Sequence, residues 1–280
     1  MVSVLIPTFN EAHNIADCLA GLRWAGEVVV VDSGSHDGTR EIAHQAGARV
    51  VDFHWDGQFP KKKNWALEHL PWKYEWILIV DADERITEAL AAEIQQVLAG
   101  PRADGYFINR RFLFLGQWIR HCGYYPSWNL RLFRHRLGRY ERLHDGDTAS
   151  GDNEVHEHVV LEGRTGFLQH DMWHLAYPDI FTWMEKHNRY SNWEAQVEVG
   201  GARAGRGEIG RGLAGRRALR EWSRRMPCRP ALRFFYSYIL KRGFLDGYAG
   251  FVFCRLLAVY EFLCVCKARE LRWRQRLPGR

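Results

Sequence analysis

Trp76-Ile77-Leu78-Ile79-Val80-Asp81-Ala82-Asp83-Glu84 is an apolar run that ends abruptly in two aspartates. A short run rich in Ile and Val, with no polar alternation, reads as a strand buried on both faces. Open α/β sheets bind ligands beyond the carboxyl ends of such strands, where Asp81 and Asp83 stand. On a continuing strand the two carboxylates share a side; on a turn they can still converge. Hard carboxylate oxygens suit Mg²⁺ or Mn²⁺, which take one or two protein carboxylates and fill the shell with phosphate and water. A solvated acidic turn is the plain alternative, and the motif is too short to choose.

The surrounding chain repeats the pattern. Val2 to Pro7 reads as a first strand, with a helix from near Asn10 to about Arg23. Glu27 to Asp32 is a second apolar strand ending in aspartate, followed by the polar loop Ser33 to Thr39 and a helix from Arg40 to Gln45. Ala48 to Phe53 is a third strand, and Gln58 to Leu70 carries Lys61-Lys62-Lys63-Asn64 into a helix. Thr87 to Leu98 has the spacing of an amphipathic helix. Strand and helix alternating three times before residue 90 predict βαβ units, a parallel sheet and right-handed crossovers. Asp32 and Asp81 then fall along one edge of that sheet.

Beyond residue 100 the pattern loosens. Gly105 to Asn109 and Leu113-Phe114 read as two separate strands. Asn129 to Arg134 reads as an alternating segment, which predicts a half-buried strand with Arg131 on its polar side. Gly166 to His170 reads as a short extended piece, and Ile180 to Val199 as a long helix. Phe234 to Leu240 and Gly250 to Cys266 are aromatic and apolar, yet Arg255 and Glu261 interrupt the second run. A membrane-spanning helix wants about 20 apolar residues with almost no charge. An amphipathic helix lying in the membrane face suits the flanking Lys241, Arg242, Lys267 and Arg269 better. A helical hairpin packed on the core accounts for the same residues.

Charge is unevenly spread. Residues 201–280 hold 19 Lys and Arg against 5 Asp and Glu, a balance of +14, which leaves −8 for the first 200 out of a total of +6. Basic segments seek phosphate, on a nucleic acid, an anionic lipid or a substrate. The six cysteines form no C-x-x-C, so neither a zinc ribbon nor a disulfide framework is read, and a reducing cytoplasm is expected. The start of the chain lacks the basic and apolar regions of a secretory leader. His156-Glu157-His158 opens like a zinc-protease motif, but Val160 stands where the second ligand belongs.

The ordered set Val4-Leu5-Ile6-Pro7-Thr8-Phe9-Asn10-Glu11, Val31-Asp32-Ser33-Gly34-Ser35-His36-Asp37-Gly38-Thr39 and Asp81-Ala82-Asp83 resembles the family 2 glycosyltransferases of the GT-A fold. Arg131-Leu132-Phe133-Arg134, Val155-His156-Glu157-His158, Trp173-His174-Leu175 and Lys241-Arg242-Gly243-Phe244-Leu245-Asp246-Gly247 resemble the bacterial lipopolysaccharide-core β-1,4-glucosyltransferases within it. The resemblance implies an α/β, Rossmann-like GT-A catalytic domain over residues 1–200. A basic, aromatic helical extension over 201–280 follows. It places Pro7, Thr8, Asn10 and Glu11 around a nucleoside and Asp32 at the uracil edge, where a loop aspartate is the alternative. Lys62 and Lys63 fall near the nucleotide, although three successive lysines also describe a solvated face. Asp81 is placed on ribose or metal-bound water, Ala82 and Arg131 in the substrate site, and Asp83 on the metal. His174 either completes the metal shell or is satisfied in the core. Glu157 is implied as the base, with Glu154 and Asp152 as alternatives, and His156 and His158 beside it. The usual Glu-Asp pair is replaced here by His-Glu-His.

The implied reaction is inverting transfer of a hexose, glucose foremost, from a UDP-sugar to a sugar of lipopolysaccharide core or a related membrane glycolipid. A divalent metal, Mg²⁺ or Mn²⁺, is the implied cofactor. The expected setting is the inner face of the cytoplasmic membrane, with peripheral contact to anionic lipid and no nucleic acid. Three other readings stay open: a polyprenyl-phosphate glycosyltransferase on the same fold, a nucleotidyltransferase, and a non-enzymatic basic module that binds nucleic acid through residues 201–280.

Overall fold

The computed structural model describes residues 1–141, 158–200 and 228–276. In chain order its elements begin β1 (Ser3–Thr8), α1 (Ala12–Ala20), β2 (Glu27–Asp32), α2 (Thr39–Gln45), β3 (Arg49–Asp52), α3 (Lys62–His69) and β4 (Trp76–Ile79). Next come β5 (Glu84–Arg85), α4 (Glu88–Ala99), β6 (Gly105–Phe114), β7 (Gln117–Trp118), β8 (Trp128–Arg134), β9 (Gly138–Tyr140), β10 (Val159–Leu161) and β11 (Thr165–His174). The helices α5 (Ile180–Gly200), α6 (Arg229–Phe235) and α7 (Gly247–Arg276) follow, with a π-helical turn Tyr236–Leu240 and a 3₁₀ turn Gly243–Asp246 between the last two. Two compact units result. Among the described residues the first takes 1–113, 126–141 and 158–176, and the second takes 114–125, 177–200 and 228–276.

The first unit is an α/β sheet in the order β3-β2-β1-β4-β8-β6-β11-β5. The four strands β3, β2, β1 and β4 are parallel. All four residues of β4 are buried. Alternate residues along these strands serve opposite faces, which is why the runs lack polar positions. Val4, Ile6, Val30 and Leu78 pack with Ile15 and Leu19 of α1 and Leu90 and Ile94 of α4. Leu5, Val29, Ile77 and Ile79 pack on the other side with Ala66 and Leu67 of α3 and Phe133 of β8. This is the mostly parallel GT-A architecture that the motifs imply. The parallel register aligns Thr8 with Asp32 and Asp32 with Asp52, so the carboxyl ends share one edge.

Three features differ from the sequence reading. β6 is one ten-residue strand, not two, and β11 runs on through His174. The same ion pair, Arg111 Nε to Asp171 Oδ2 at 2.7 Å, neutralises a charge in the middle of each strand and lets both continue. β8 is not half-buried, since Leu130, Arg131, Leu132 and Phe133 are all buried. The two core clusters cover its faces, one taking in Leu132 and the other Leu130 and Phe133. The lysine run is not a solvated face either, since Lys61, Lys62 and Lys63 are 4%, 1% and 8% exposed.

The second unit is helical. α5 packs along α7, and α7 packs along α6. Arg229 joins them by pairing with Glu198 at 3.1 Å and Glu261 at 2.7 Å. Lys267 donates to the Asn188 carbonyl and to Ser191 Oγ at 2.8 and 2.7 Å. Asp246 is buried and accepts from the His121 backbone N–H at 2.8 Å and from His121 Nδ1 at 2.7 Å. Among the described residues one helical stretch, Gly243–Arg276, is long and apolar enough to cross a membrane. A third of its apolar window is buried within the protein.

Candidate active site

The loops after β1, β2 and β3 enclose an open cleft of about 370 Å³, lined by Phe9, Ser33, Phe53, His54 and Trp55. Its floor is organised by Asp32, which has no exposed surface. The carboxylate accepts from Thr8 Oγ1 at 2.8 Å, Ser35 Oγ at 2.6 Å, and the Gly34 and Ser35 backbone N–H groups at 3.0 and 2.8 Å. Asn10, with a φ of 56°, ties the β1 loop to the β2 loop. Its N–H donates to Ser35 Oγ at 2.8 Å, and its Oδ1 accepts from the His36 N–H at 2.9 Å. The Glu11 N–H donates to Thr39 Oγ1 at 2.8 Å. Pro7 is half-buried within β1, opposite Val31. Thr8, Asn10, Glu11 and Asp32 therefore tie together the β1 and β2 loops that bring Phe9 and Ser33 to the cleft, with Asp32 acting on the loop that surrounds it.

The charged centre lies at the end of β4. Antiparallel pairing sets Leu132 of β8 opposite Leu78, which brings Arg131 level with the residues that leave β4. Arg131 Nη2 donates to Asp81 Oδ2 at 2.5 Å and to Glu84 Oε1 at 2.8 Å. Lys63 Nζ lies 2.9 Å from Asp81 Oδ1 and 5.2 Å from the centre of the Tyr140 ring. Lys62 Nζ donates to the Thr8 carbonyl at 2.7 Å. Glu84 is completely buried. Its Oε2 accepts the Asp81 N–H at 3.0 Å, and Arg110 Nη1 stands 3.4 Å from its Oε1. Burial alone raises a carboxyl pKa, but here Arg131 and Lys63 outweigh it and hold Asp81 well below the ordinary carboxylate range. Burial likewise opposes the Arg131 charge, and Asp81 and Glu84 more than restore it. Arg131 Nε is buried without an acceptor, as is Arg110 Nε.

The direction of the Asp81 shift gives a pH prediction. A depressed folded-state pKa contributes stability that is present above the unfolded value, about 3.9 for aspartate, and lost as pH falls through the folded value. Urea unfolding between pH 6 and about 2 is therefore expected to show a smaller acid loss of stability in Asp81→Asn than in the parent chain. Parallel curves for the two proteins would remove Asp81 from the acid response.

Asp83 points the motif toward a second partner. β11 pairs antiparallel with β5, setting His174 opposite Glu84, and the Leu175 N–H donates to the Asp83 carbonyl at 2.8 Å. His174 Nε2 consequently lies 3.6 Å from Asp83 Oδ2, and its ring centre lies 5.9 Å from that of Phe112. Ala82, between the two aspartates, is buried in the core, and its carbonyl accepts from Arg85 Nη1 at 2.8 Å. Cys18 Sγ lies 3.8 Å from the Asp81 carbonyl, and burial pushes its thiol up to about 12, so it is held protonated there.

Residues 3–152, which carry the cleft, the aspartate turn and Arg131, match glycosyl transferase family 2. The chain belongs to this family. Along nearly its whole length this glycosyltransferase is similar to LpsC of Rhizobium meliloti, a lipopolysaccharide core biosynthesis glycosyltransferase. Identity is 29% over 282 residues, covering 95% of this chain and 91% of LpsC. It is equally similar to an uncharacterized glycosyltransferase of Rickettsia bellii, at 29% over 275 residues, covering 96% of this chain and 86% of the relative. Among solved structures it is similar to residues 1–349 of TarS from S. aureus in complex with UDP-GlcNAc. Identity is 15%, coverage is 100% of this chain and 93% of that one, and the TM-score is 0.47.

For a family 2 glycosyltransferase the donor set at the aspartate turn is informative. Among the described residues no group of three or more His, Cys, Asp or Glu gathers to hold a metal. Asp83 and His174 supply one carboxylate and one imidazole, which fits Mg²⁺ or Mn²⁺ only if phosphate and water complete the shell. Asp81 fits poorly as a direct ligand, because Lys63 and Arg131 already occupy both its oxygens. Glu157 and His156 lie outside the described residues, as do Glu154 and Asp152. His158 is exposed, and its carbonyl accepts the Glu141 N–H at 2.9 Å.

Glu84, Arg110 and the aromatic lining of the cleft are what the sequence reading missed. Glu84 carried a signal, as a third acid directly after Asp-Ala-Asp where an apolar strand had just ended. Phe53 and Trp55 carried none, since aromatic residues beside a strand are equally at home in a core.

Proposed function

We propose that this glycosyltransferase moves a hexose, glucose foremost, from a UDP-sugar to a sugar hydroxyl of a lipopolysaccharide core or related membrane glycolipid, with inversion. The observation that carries the reading is the charge arrangement at the β4 edge. Three cations, Lys63, Arg110 and Arg131, stand with three carboxylates, Asp81, Asp83 and Glu84. The formal charges of these six side chains cancel, and Arg85, whose Nη1 donates to the Ala82 carbonyl at 2.8 Å, adds a positive charge that a divalent ion would reinforce. A nucleotide-sugar diphosphate brings the opposite charge. Similarity to LpsC supports the acceptor class.

In this reading the uracil lies in the aromatic cleft, against the loop that Asp32 holds. Thr8, Asn10 and Glu11 fix that loop, and Lys62 anchors α3 to the Thr8 carbonyl beneath it. Asp83 and His174 would hold a divalent metal, which would supply Lewis-acid stabilisation to a diphosphate leaving group. Arg131, Lys63 and Glu84 hold Asp81 in place and keep it ionised. Glu157 takes the acceptor hydroxyl proton from the face away from the diphosphate.

The test is a screen of nucleotide sugars with the purified chain, with and without Mn²⁺. Its acceptors are truncated lipopolysaccharide core and, separately, polyprenyl phosphate. UDP release and label in the core fraction are expected, with loss of transfer in Glu157→Gln. Pyrophosphate in place of UDP, or label only in polyprenyl phosphate, overturns the reading.

A further inference from the structure

The second unit carries an exposed apolar corner that the proposed chemistry does not use. It lies where the π-helical turn meets the 3₁₀ turn and α7. Phe235, Leu240, Leu245 and Tyr248 are 52%, 61%, 55% and 77% exposed. The inner side of the corner is full. A Cβ on Gly243 would meet the Ser237 carbonyl and Cys254 Sγ at 2.8 Å, and one on Gly250 would meet the Gly243 carbonyl at 2.2 Å. The large side chains are therefore displayed outward by a tightly closed turn. Contiguous exposed apolar residues of this kind mark an interaction site.

Charge identifies the partner. Residues 228–255 contain five Lys or Arg and a single acid, Asp246. Asp246 is 2% exposed and turned inward to His121, so the surface of the corner has no negative charge from this stretch. Lys241 and Arg242 are exposed and stand directly between the apolar residues. A second copy of the chain would bring the same positive rim. The segment 201–227, with eight Arg against two Glu, has that sign too. Apolar anchors interleaved with cations match the boundary between anionic headgroups and acyl chains. Arg255, Glu261 and Lys267 along α7, with the ion pair to Arg229, suit a helix lying in that boundary and not one crossing it.

We infer that this corner inserts into an anionic lipid bilayer, with Leu240, Leu245 and Tyr248 as anchors and Lys241 and Arg242 on the headgroups. The inference is read from the second unit alone and does not depend on the donor or acceptor assigned above. It is tested by flotation of the full chain with vesicles of phosphatidylcholine alone and of phosphatidylcholine mixed with phosphatidylglycerol. The parent chain is expected to float with the mixed vesicles and to release at high salt. Leu245→Asp with Tyr248→Asp is expected to stay at the bottom, with thermal midpoint and UDP-sugar hydrolysis unchanged. Lys241→Gln with Arg242→Asn should weaken binding about thirty-fold, at about 1 kcal/mol for each cation near the surface. Asparagine is chosen because residue 242 has a φ of 55°, which Asn tolerates. Equal flotation of parent and variants overturns the inference, as does failure of the parent to bind. A parent dimer that Leu245→Asp dissolves, without vesicle binding, overturns it in favour of a second copy.

Discussion

Arg131→Met is expected to lower the unfolding free energy of the first unit by about 3–5 kcal/mol, the cost of removing one partner from a buried ion network. The guanidinium is 5% exposed and one of its nitrogens serves both Asp81 and Glu84. Methionine fills the volume but leaves Glu84, completely buried, with the Asp81 N–H at 3.0 Å and Arg110 at 3.4 Å, a single cation at long range. Asp81 keeps Lys63. Arg131→Lys should recover part of the loss, because a single ammonium cannot reproduce the planar fork. A cycle with Glu84→Gln separates the two carboxylates, since neutralising Glu84 removes the acid that Arg131→Met strands. Urea unfolding followed by circular dichroism measures the parent, the three single variants and the double variant. A loss under about 1 kcal/mol, the range of exposed pairs, would mean that Arg131 does not hold the turn.

Asp83→Ala is expected to have the opposite profile, with little change in stability and about a 10²–10³-fold loss of transfer, or about 2.7–4 kcal/mol of transition-state stabilisation. Asp81→Ala, by contrast, leaves Lys63 and Arg131 without their shared acid and should destabilise the fold. The distinction rests on partners, since the Asp81 oxygens go to Arg131 and Lys63 while Asp83 faces His174. Mn²⁺ binding by calorimetry in the presence of UDP gives a readout independent of turnover. Asp83→Ala and His174→Ala should both weaken it. Unchanged Mn²⁺ affinity together with transfer within threefold of the parent would take Asp83 out of the metal site.

The parallel half of the fold was legible because burial on both faces leaves a local trace. Val4 to Ile6, Val28 to Val31 and Ile77 to Val80 carry no polar position. The edge position of Asp32 and Asp81 followed from that order alone. The ten-residue lengths of β6 and β11 did not, because a charge in the middle of each strand looked like an end until Arg111 and Asp171 were seen to cancel.

The sequence by itself determined the βαβ units and parallel sheet of the first half, the sheet edge that holds the aspartates and the family to which they belong. All of these follow from apolar periodicity and short motifs, which are properties of neighbouring residues. Only the tertiary structure decided what each charge does. Asp-Ala-Asp is symmetric as a motif, and it became asymmetric when β8 carried Arg131 to one aspartate and β11 carried His174 to the other. Lys61, Lys62 and Lys63 changed from a solvated face to buried cations for the same reason. Ion pairing and burial depend on segments far apart in sequence, 50 residues apart for Arg131 and Asp81, and no local pattern records which of them will meet.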